Sequence, residues 1–180
     1  MGRVLPQKSF SRDTEKVAKL LLGSFLCRKV RKKIIRGKIM EVEVYDGFRD
    51  RASHASRGKT ERNAVMFGEA GVWYVYFTYG MHWMLNIVTR EKGYPAAILI
   101  RAVQFPNSME LWNGPARVTK RFRIDGKLNG KPAEKKSGLW IESGEKIPGR
   151  DIIHSARVGV NYAGPYWTRR KRRLHIKLRS

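Results

Sequence analysis

Residues 39–54 bring together side chain types that suit acid–base chemistry at the end of a strand. Residues 39–45 alternate in character, as expected of a β-strand with one side on a core. The apolar face carries Met40, Val42 and Val44, and the polar face carries Glu41, Glu43 and Tyr45. The turn dipeptide Asp46-Gly47 then ends the strand, and the loop beyond it carries His54. A carboxylate, a phenol and an imidazole gathered here could form a reactive site.

The polar face of this strand has two interpretations. An antiparallel sheet commonly keeps one face on the core and the other in water, so the carboxylates could simply be solvated. The same pattern fits a strand that lines a polar cleft, where a positioned carboxylate acts as a general base. Other parts of the chain must distinguish a solvated face from a site.

Length and composition predict one globular domain spanning residues 1–180. Of these residues 42% are hydrophobic, and the aromatic side chains are plentiful enough for a core. The chain contains no apolar run of ~18 residues, so we expect no membrane span. Its first ten residues include Arg3 and Lys8 but no apolar block, which is unlike a signal peptide and predicts an intracellular protein.

Cysteine and histidine usage argues against disulfide and metal chemistry. Cys27 is the only cysteine, so no intramolecular disulfide can form. The four histidines are scattered without the spacing of metal ligands, so we expect no metal site.

Charge is the unusual property of this chain. It has 38 lysines and arginines against 15 acidic residues, a formal net charge of +23. Such an excess favours a polyanionic partner. Nucleic acid is the leading candidate, and an anionic membrane surface is the weaker alternative.

Several strands and one long loop must position the candidate site. Residues 13–22 read as an amphipathic helix with Ser11 or Asp13 as its N-cap, and residues 25–45 read as a hairpin. Residues 46–71 lack regular periodicity, so this loop is either functional or mobile and solvated. Residues 72–89 form a second hairpin, whose tip exposes Tyr79, Met81 and His82.

Two polar residues lie in otherwise apolar strands. Asn86 must be hydrogen-bonded if it is buried, either as a structural group or as a ligand contact. Arg101 ends the apolar run 96–103 and needs a carboxylate, for which Glu41 and Glu43 are the candidates. Beyond it, Asn113-Gly-Pro115 predicts the start of a helix that carries Lys120, and this helix start is either a phosphate contact or a plain cap.

The order and spacing of these motifs resemble one family. The matching segments are Glu41-Val-Glu-Val-Tyr45, Asp50-Arg-Ala-Ser-His54, Thr60-Glu-Arg-Asn63, Tyr74-Val-Tyr-Phe-Thr-Tyr-Gly-Met81, Leu99-Ile-Arg101, Asn113-Gly-Pro115 and Ala156-Arg-Val-Gly-Val160. Together they resemble the alkylpurine (3-methyladenine) DNA glycosylases of the single-domain type. The resemblance implies an α+β fold with a curved, largely antiparallel sheet, flanking helices and a protruding β-hairpin, similar to the C-terminal domain of formyltransferases.

The resemblance also implies a role for each matching site residue. Glu43 would be the general base, and Arg101 and the main-chain carbonyl of Val158 would help it to hold the attacking water. Tyr45 would stack on one face of a flipped base, with His54 and Tyr76 on the other, while Asn86 would exclude the exocyclic amine of guanine. Tyr79 would intercalate into the duplex. The other DNA contacts would be Arg57, Met81, His82 and Lys120.

The activity implied is hydrolysis of the N-glycosidic bond of damaged purines in double-stranded DNA, which starts base-excision repair. The lesions are 3-methyladenine, 7-methylguanine, hypoxanthine and ethenoadenine. We expect a monomer without cofactor, metal or lyase activity, located wherever DNA is, in the cytoplasm or nucleoid of a prokaryote or the nucleus of a eukaryote. The alternative from another class is a non-catalytic basic protein that binds nucleic acid, which the net charge would suit equally well.

Overall fold

A computed structural model of the chain describes residues 2–106 and 110–178. The helices and strands are α1 (Thr14–Leu21), β1 (Phe25–Val30), β2 (Lys33–Asp46), β3 (Trp73–Thr78), β4 (His82–Val88), β5 (Ala96–Gln104), β6 (Leu111–Asn113), α2 (Pro115–Arg121), β7 (Leu139–Glu142), β8 (Ile152–Ser155), α3 (Pro165–Arg169) and β9 (Arg173–Ile176). None of the described helices is long and apolar enough to cross a membrane.

The strands form one curled, antiparallel sheet. Its main order is β3-β4-β5-β2-β1-β7, and β6 and β9 extend it by pairing with β5 and β2, while β8 pairs with β9. The long strand β2 is central, because β5 runs along one edge and β1 and then β9 run along the other. Three short helices accompany this sheet within the described residues. The predicted α+β class with a curved antiparallel sheet is confirmed.

The first helix shows why its sequence begins and ends where it does. The Asp13 carboxylate accepts from the backbone N–H groups of Glu15 and Lys16 at 3.1 Å, so Asp13 rather than Ser11 is the N-cap. The chain leaves the helix at Gly23, whose φ of +84° suits a residue without a Cβ. The buried face includes Val17 and Leu21, which pack into the main core under β2.

The alternation predicted for β2 is wrong at Met40. The pairing with β5 is irregular between Ile39 and Val42, where Glu41 pairs out of the register that holds on either side. The side chain alternation breaks at this irregularity, so Ile39 rather than Met40 joins Val42 and Val44 in the main core cluster. The carboxylates of Glu41 and Glu43 nevertheless both approach Arg101.

The loop between β2 and β3 is held together by polar side chains. It contains two 3-10 turns, His54–Arg57 and Ala64–Phe67. The Asn63 side chain donates to the carbonyls of His54 and Gly58 at 2.9 Å and accepts from the Thr60 amide at 2.7 Å. This loop therefore presents His54 in a defined place.

The second hairpin, β3–β4, projects a short turn. Strand β3 places Trp73 and Val75 in the main core, while Tyr74 and Tyr76 lie on the opposite side with a separate cluster. The turn residues Tyr79 and Gly80 both have positive φ, +52° and +65°. Positive φ at both central residues is the geometry of a type I′ turn, which matches the twist of a hairpin.

Candidate active site

Glu43 lies near the C-terminal end of β2 with no exposed side chain area. One carboxylate oxygen, Oε1, accepts from the backbone N–H of Val158 at 2.8 Å and lies 3.4 Å from Nε of Arg101. The other oxygen, Oε2, accepts from the hydroxyl of Tyr45 at 2.8 Å. The carboxylate is therefore fixed by partners from three separate segments of the chain.

A second carboxylate supports this arrangement. Glu41 accepts from Nε of Arg101 at 2.9 Å and from Nη1 of Arg173 at 3.2 Å. Glu41 is thus paired with two guanidinium groups, and it orients Arg101 next to Glu43. The expectation that Arg101 pairs with Glu41 and Glu43 is confirmed.

The groups around Glu43 shift its pKa in opposite directions. Burial raises the pKa of this carboxyl, because removal from water penalises the charged form. Arg101, the Val158 amide and the Tyr45 hydroxyl act in the opposite direction. The net shift is upward, which makes the ionised carboxylate a stronger base than an ordinary glutamate.

Val158 reaches Glu43 through its amide nitrogen, whereas the sequence argument proposed a water contact through its carbonyl. The side chain of Val158 is 53% exposed, so the contact lies at the edge of an open cleft. The preceding residue, Arg157, is buried and donates to the carbonyl of Val44 at 2.8 Å. Its guanidinium carbon lies 4.8 Å from the ring centroid of Tyr45.

Four of the predicted pocket residues come together in a small inner cavity of about 40 Å³. Its walls include Tyr45, His54, Tyr76 and Asn86, with Tyr74 and Tyr162 also contributing. This volume is close to the ~30 Å³ that one water molecule occupies in the liquid. A purine therefore fits here only if it also extends into the adjoining cleft, whose volume is about 1060 Å³. The walls of the cleft include Glu43 and Arg101, and the two spaces share Tyr45, His54, Tyr76 and Tyr162.

The aromatic groups of the inner cavity are fixed by contacts with each other. The rings of His54 and Tyr76 have centroids 4.6 Å apart at an angle of 71°. Nδ1 of His54 lies 3.0 Å from the hydroxyl of Tyr74, and the side chain amide of Asn86 donates to the Tyr74 carbonyl at 3.1 Å. Asn86 is thus buried and hydrogen-bonded while it still lines the cavity.

Burial keeps these rings neutral. It lowers the pKa of His54, with a further contribution from the nearby Arg62, so the imidazole is uncharged at neutral pH. Burial also raises the pKa of Tyr74 to about 12 and raises the pKa of Tyr76. The cavity therefore offers neutral aromatic faces, which attract cationic rings.

The cleft connects this cavity to the hairpin turn. Tyr79 is 80% exposed and lines the cleft, as does Arg57. Met81 and His82 are exposed beside Tyr79 at the same turn. Lys120 is exposed on α2 but is not a cleft-lining residue, so the structure does not bring it together with the others.

Comparison with known proteins shows the family to which this chain belongs. The family model of methylpurine-DNA glycosylase (MPG) matches residues 8–177. The chain belongs to the methylpurine-DNA glycosylase family. It is 42% identical to a protein of Carboxydothermus hydrogenoformans, over 88% of this chain and 89% of that one. It is 40% identical to a protein of Legionella pneumophila strain Corby, over 97% and 95% of the two chains. Both relatives carry the name "Putative 3-methyladenine DNA glycosylase".

Membership of the methylpurine-DNA glycosylase family confirms the resemblance inferred from the motifs and makes the chain a DNA repair hydrolase. Sequence reasoning missed three residues of this glycosylase site. Asp50 and Arg157 were within the recognised motifs but had no assigned function, because no local pattern relates two residues 107 positions apart. Tyr162 lines both the inner cavity and the cleft, and nothing in its local pattern indicated this position.

Proposed function

We propose that this glycosylase is a monofunctional, monomeric enzyme that removes flipped-out damaged purines from duplex DNA and leaves an abasic site. The proposed substrates are 3-methyladenine, 7-methylguanine, hypoxanthine and ethenoadenine. One observation carries the proposal: a buried glutamate, Glu43, is held by Val158, Tyr45 and Arg101 beside an aromatic-walled cavity that opens into a basic cleft.

The chemical step uses Glu43 as a general base. Water attacks C1′ of the sugar as the N-glycosidic bond breaks, and the electron pair of that bond leaves with the base. Glu43 accepts the proton that the water loses. Its negative charge also stabilises the oxocarbenium-like sugar before attack. A cationic alkylated purine departs as a neutral base, while a neutral lesion must gain a proton on leaving.

Arg101 and Val158 complete the water site. Arg101 is held against Glu43 by Glu41, and the Val158 amide occupies one lone pair of the Glu43 carboxylate. The remaining acceptor capacity of that carboxylate is available to a water that enters with the nucleotide. In this proposal the Val158 carbonyl and Arg101 orient the same water.

Base selectivity comes from the walls of the inner cavity. Tyr45 packs on one face of the base and His54 and Tyr76 pack on the other, where neutral aromatic rings attract a positively charged purine. Asn86 disfavours guanine, because its amide is tied to the Tyr74 carbonyl and cannot withdraw easily from the exocyclic amine. 7-Methylguanine keeps that amine, and the attraction of its cationic ring to the aromatic faces offsets the clash. This steric exclusion also lets neutral lesions without that amine enter.

Duplex DNA is opened by the hairpin turn. Flipping a nucleotide costs a few kcal/mol of stacking, and a side chain inserted into the gap offsets part of that cost. Tyr79 suits this insertion because it is exposed at the turn between two paired strands, with Arg57, Met81 and His82 beside it. Lys120 would contact phosphates outside the cleft, because its exposed position on α2 suits a backbone contact.

The absence of a lyase step is part of the proposal. In the described part of the chain the basic residues that line the cleft are His54 and arginines, namely Arg51, Arg57, Arg62 and Arg101. Neither residue type forms the Schiff base that a lysine amine would form with the sugar. Water held by Glu43 is then the nucleophile.

Substitution of Glu43→Gln tests this function with duplexes that contain methylated purines or hypoxanthine. The parent should release free base and leave alkali-labile sites. The variant should bind the duplexes with similar affinity and release base at least about 100-fold more slowly, which is the lower end of the usual effect of general base catalysis. Release of base by Glu43→Gln at the parental rate would show that Glu43 is not the base.

Glu142→Gln is the matched control. Glu142 is also a buried carboxylate with an arginine partner, at 3.4 Å from Arg36, but it lies on β7 and does not line the cleft. Its replacement should leave base release unchanged. A parent protein that binds every duplex and releases no base would instead favour the non-catalytic nucleic-acid-binding function.

A further inference from the structure

Tyr162 stands where the cleft meets the inner cavity. It belongs to the 3-10 turn Asn161–Ala163, which follows directly after the segment that carries Val158. Its ring lines both the small cavity, with Tyr45 and Tyr76, and the wide cleft, with Tyr79. A side chain that borders both spaces lies on the path that a base must take into the cavity.

The position of this ring is fixed at one point. The Tyr162 hydroxyl donates to the carbonyl of Ala52 at 2.9 Å, and Ala52 is buried two residues before His54. The side chain of Tyr162 is nonetheless 69% exposed. A large aromatic face is therefore held in place and left open, so a ligand could contact it at little cost in side chain entropy.

The groups that shift the pKa of the Tyr162 hydroxyl are consistent with a position between the cleft and the cavity. Partial burial of the phenol is the largest cause that raises the pKa of Tyr162; Arg157 acts in the opposite direction, and Asp50, Tyr79 and Glu43 add smaller upward influences. Asp50 belongs to the loop after β2, Tyr79 to the hairpin turn and Glu43 to β2. The hydroxyl is thus within electrostatic range of both ends of the cleft.

Single exposed aromatic residues are common on protein surfaces and usually need no explanation. Tyr166 is such a residue: it is 59% exposed four positions later, accepts from Nη1 of Arg170 at 2.9 Å, and lies outside the cleft. Tyr162 differs because it lines the cleft, and its hydroxyl donates a hydrogen bond to the loop that carries His54. This contrast gives an internal comparison within one segment.

We propose that Tyr162 is a substrate-contact residue whose ring packs against the extrahelical purine nucleotide and holds it in the cavity. This inference rests on the proposed function, because it deepens the description of the same site. In this arrangement Tyr79 fills the gap left in the duplex, and Tyr162 closes the mouth of the cavity behind the base. The ring contributes by contact, and the bond to Ala52 sets its angle.

The test compares Tyr162→Ala and Tyr162→Phe with the control Tyr166→Ala. Two measurements are made on a duplex that contains ethenoadenine: the change in the fluorescence of this base on binding, and the single-turnover rate of its release. Thermal unfolding and binding to an undamaged duplex are measured in parallel. The fluorescence change reports entry of the base without any bond cleavage.

We expect Tyr162→Ala to reduce both the fluorescence change and the release rate by about tenfold, within the range measured for loss of one aromatic stacking contact. Tyr162→Phe keeps the ring and should stay within about threefold of the parent, by the same argument. Tyr166→Ala should match the parent. Because Tyr162 is mostly exposed, thermal stability and binding to undamaged duplex should be unchanged in all three variants.

Two results would overturn the inference. One is a Tyr162→Ala variant with the fluorescence change of the parent, since no contact with the nucleotide would then be lost. The other is an equal loss in Tyr162→Phe and Tyr162→Ala, which would assign the effect to the Ala52 bond alone. Failure of the proposed function looks different: the parent would change the fluorescence of the base and release none of it.

Discussion

The guanidinium of Arg157 and the carboxylate of Asp50 form a two-point ion pair with N–O distances of 2.6 Å and 2.8 Å. Neither side chain is exposed to solvent. The same guanidinium contacts the Val44 carbonyl and the ring of Tyr45, and the next residue, Val158, donates to Glu43. One buried pair thus ties two loops to the strand that carries Glu43.

Replacement of Asp50→Asn should destabilise the protein and slow base release together. Removing one partner of a buried ion pair leaves the other charge uncompensated and costs about 3–5 kcal/mol. For a chain of this length that corresponds to a fall in Tm of about 6–20 °C. Base release should fall as well, because Val158 and Tyr45 lose the support of Arg157. Thermal unfolding and single-turnover kinetics at a temperature where the variant is folded measure the two effects.

Glu15→Gln is the control for this change. Glu15 pairs with Lys19 at 3.1 Å on the exposed surface of α1, and such pairs contribute only about 0.3–0.5 kcal/mol. Its removal should leave both Tm and base release nearly unchanged. Equal effects of the two substitutions would show that the buried pair has no special structural role.

The sequence predicts individual strands well because their signals are local. The aromatic and β-branched run of β3 and the apolar run of β5 are examples, and motif order made the family recognisable. The Asp50–Arg157 pair could not be foreseen, because it joins residues 107 positions apart in the chain. The break in alternation at Met40 was equally hidden, since it depends on how β5 pairs with β2. Contacts set by tertiary packing have no local pattern.

The rate of base release should fall at acidic pH. Only ionised Glu43 accepts a proton, so activity decreases as pH falls through the pKa of this group. Burial raises that pKa, so the decrease should lie above the ~4.3 of an ordinary glutamate. His54 should add no transition near pH ~6.5, the ordinary pKa of histidine, because burial lowers its pKa. Single-turnover rates measured from about pH 4 to about pH 8 test both statements, because this interval includes the ordinary pKa values of glutamate and histidine.

Tyr45→Phe should move this acidic transition to higher pH. The Tyr45 hydroxyl bonds to Oε2 of Glu43 and stabilises the charged carboxylate, so its loss raises the pKa of Glu43 further. The ring remains available for stacking. Tyr94→Phe, outside the cleft, is the control and should keep the parental profile. An unchanged transition in Tyr45→Phe would mean that Glu43 does not set the pH dependence.

Glu43→Gln should be as stable as the parent or more stable at pH 7. A carboxyl whose pKa is raised in the folded state binds its proton more tightly there than in the unfolded chain. Its ionisation therefore costs stability as pH rises through the folded-state pKa, and glutamine removes that cost. The advantage should vanish below about pH 4, under the unfolded pKa of ~4.3. Thermal unfolding at both pH values checks the sign, and a variant less stable than the parent at pH 7 would contradict it.

Tyr79→Asn should make the protein more stable and the enzyme slower. Tyr79 adopts a φ of +52°, a left-handed conformation that costs a residue with a bulky side chain about 1–2 kcal/mol. Asparagine before Gly80 is favoured in a type I′ turn, so Tm should rise by about 2–4 °C. Base release from duplex should fall, because the short side chain cannot fill the gap left by a flipped nucleotide. The loss should be much smaller for single-stranded substrate, where no stacking across a duplex has to be broken.

Arg31→Gly separates the two effects of Tyr79→Asn. Arg31 has a φ of +54° in the turn between β1 and β2, which does not line the cleft. Its replacement by glycine therefore relieves a similar backbone strain away from the site. Its substitution should raise Tm and leave base release unchanged. If Tyr79→Asn released base from duplex as fast as Arg31→Gly, insertion of the Tyr79 ring would not be needed for flipping. If instead only Tyr79→Asn is slow, the strain at the hairpin turn is retained because the exposed ring is functional.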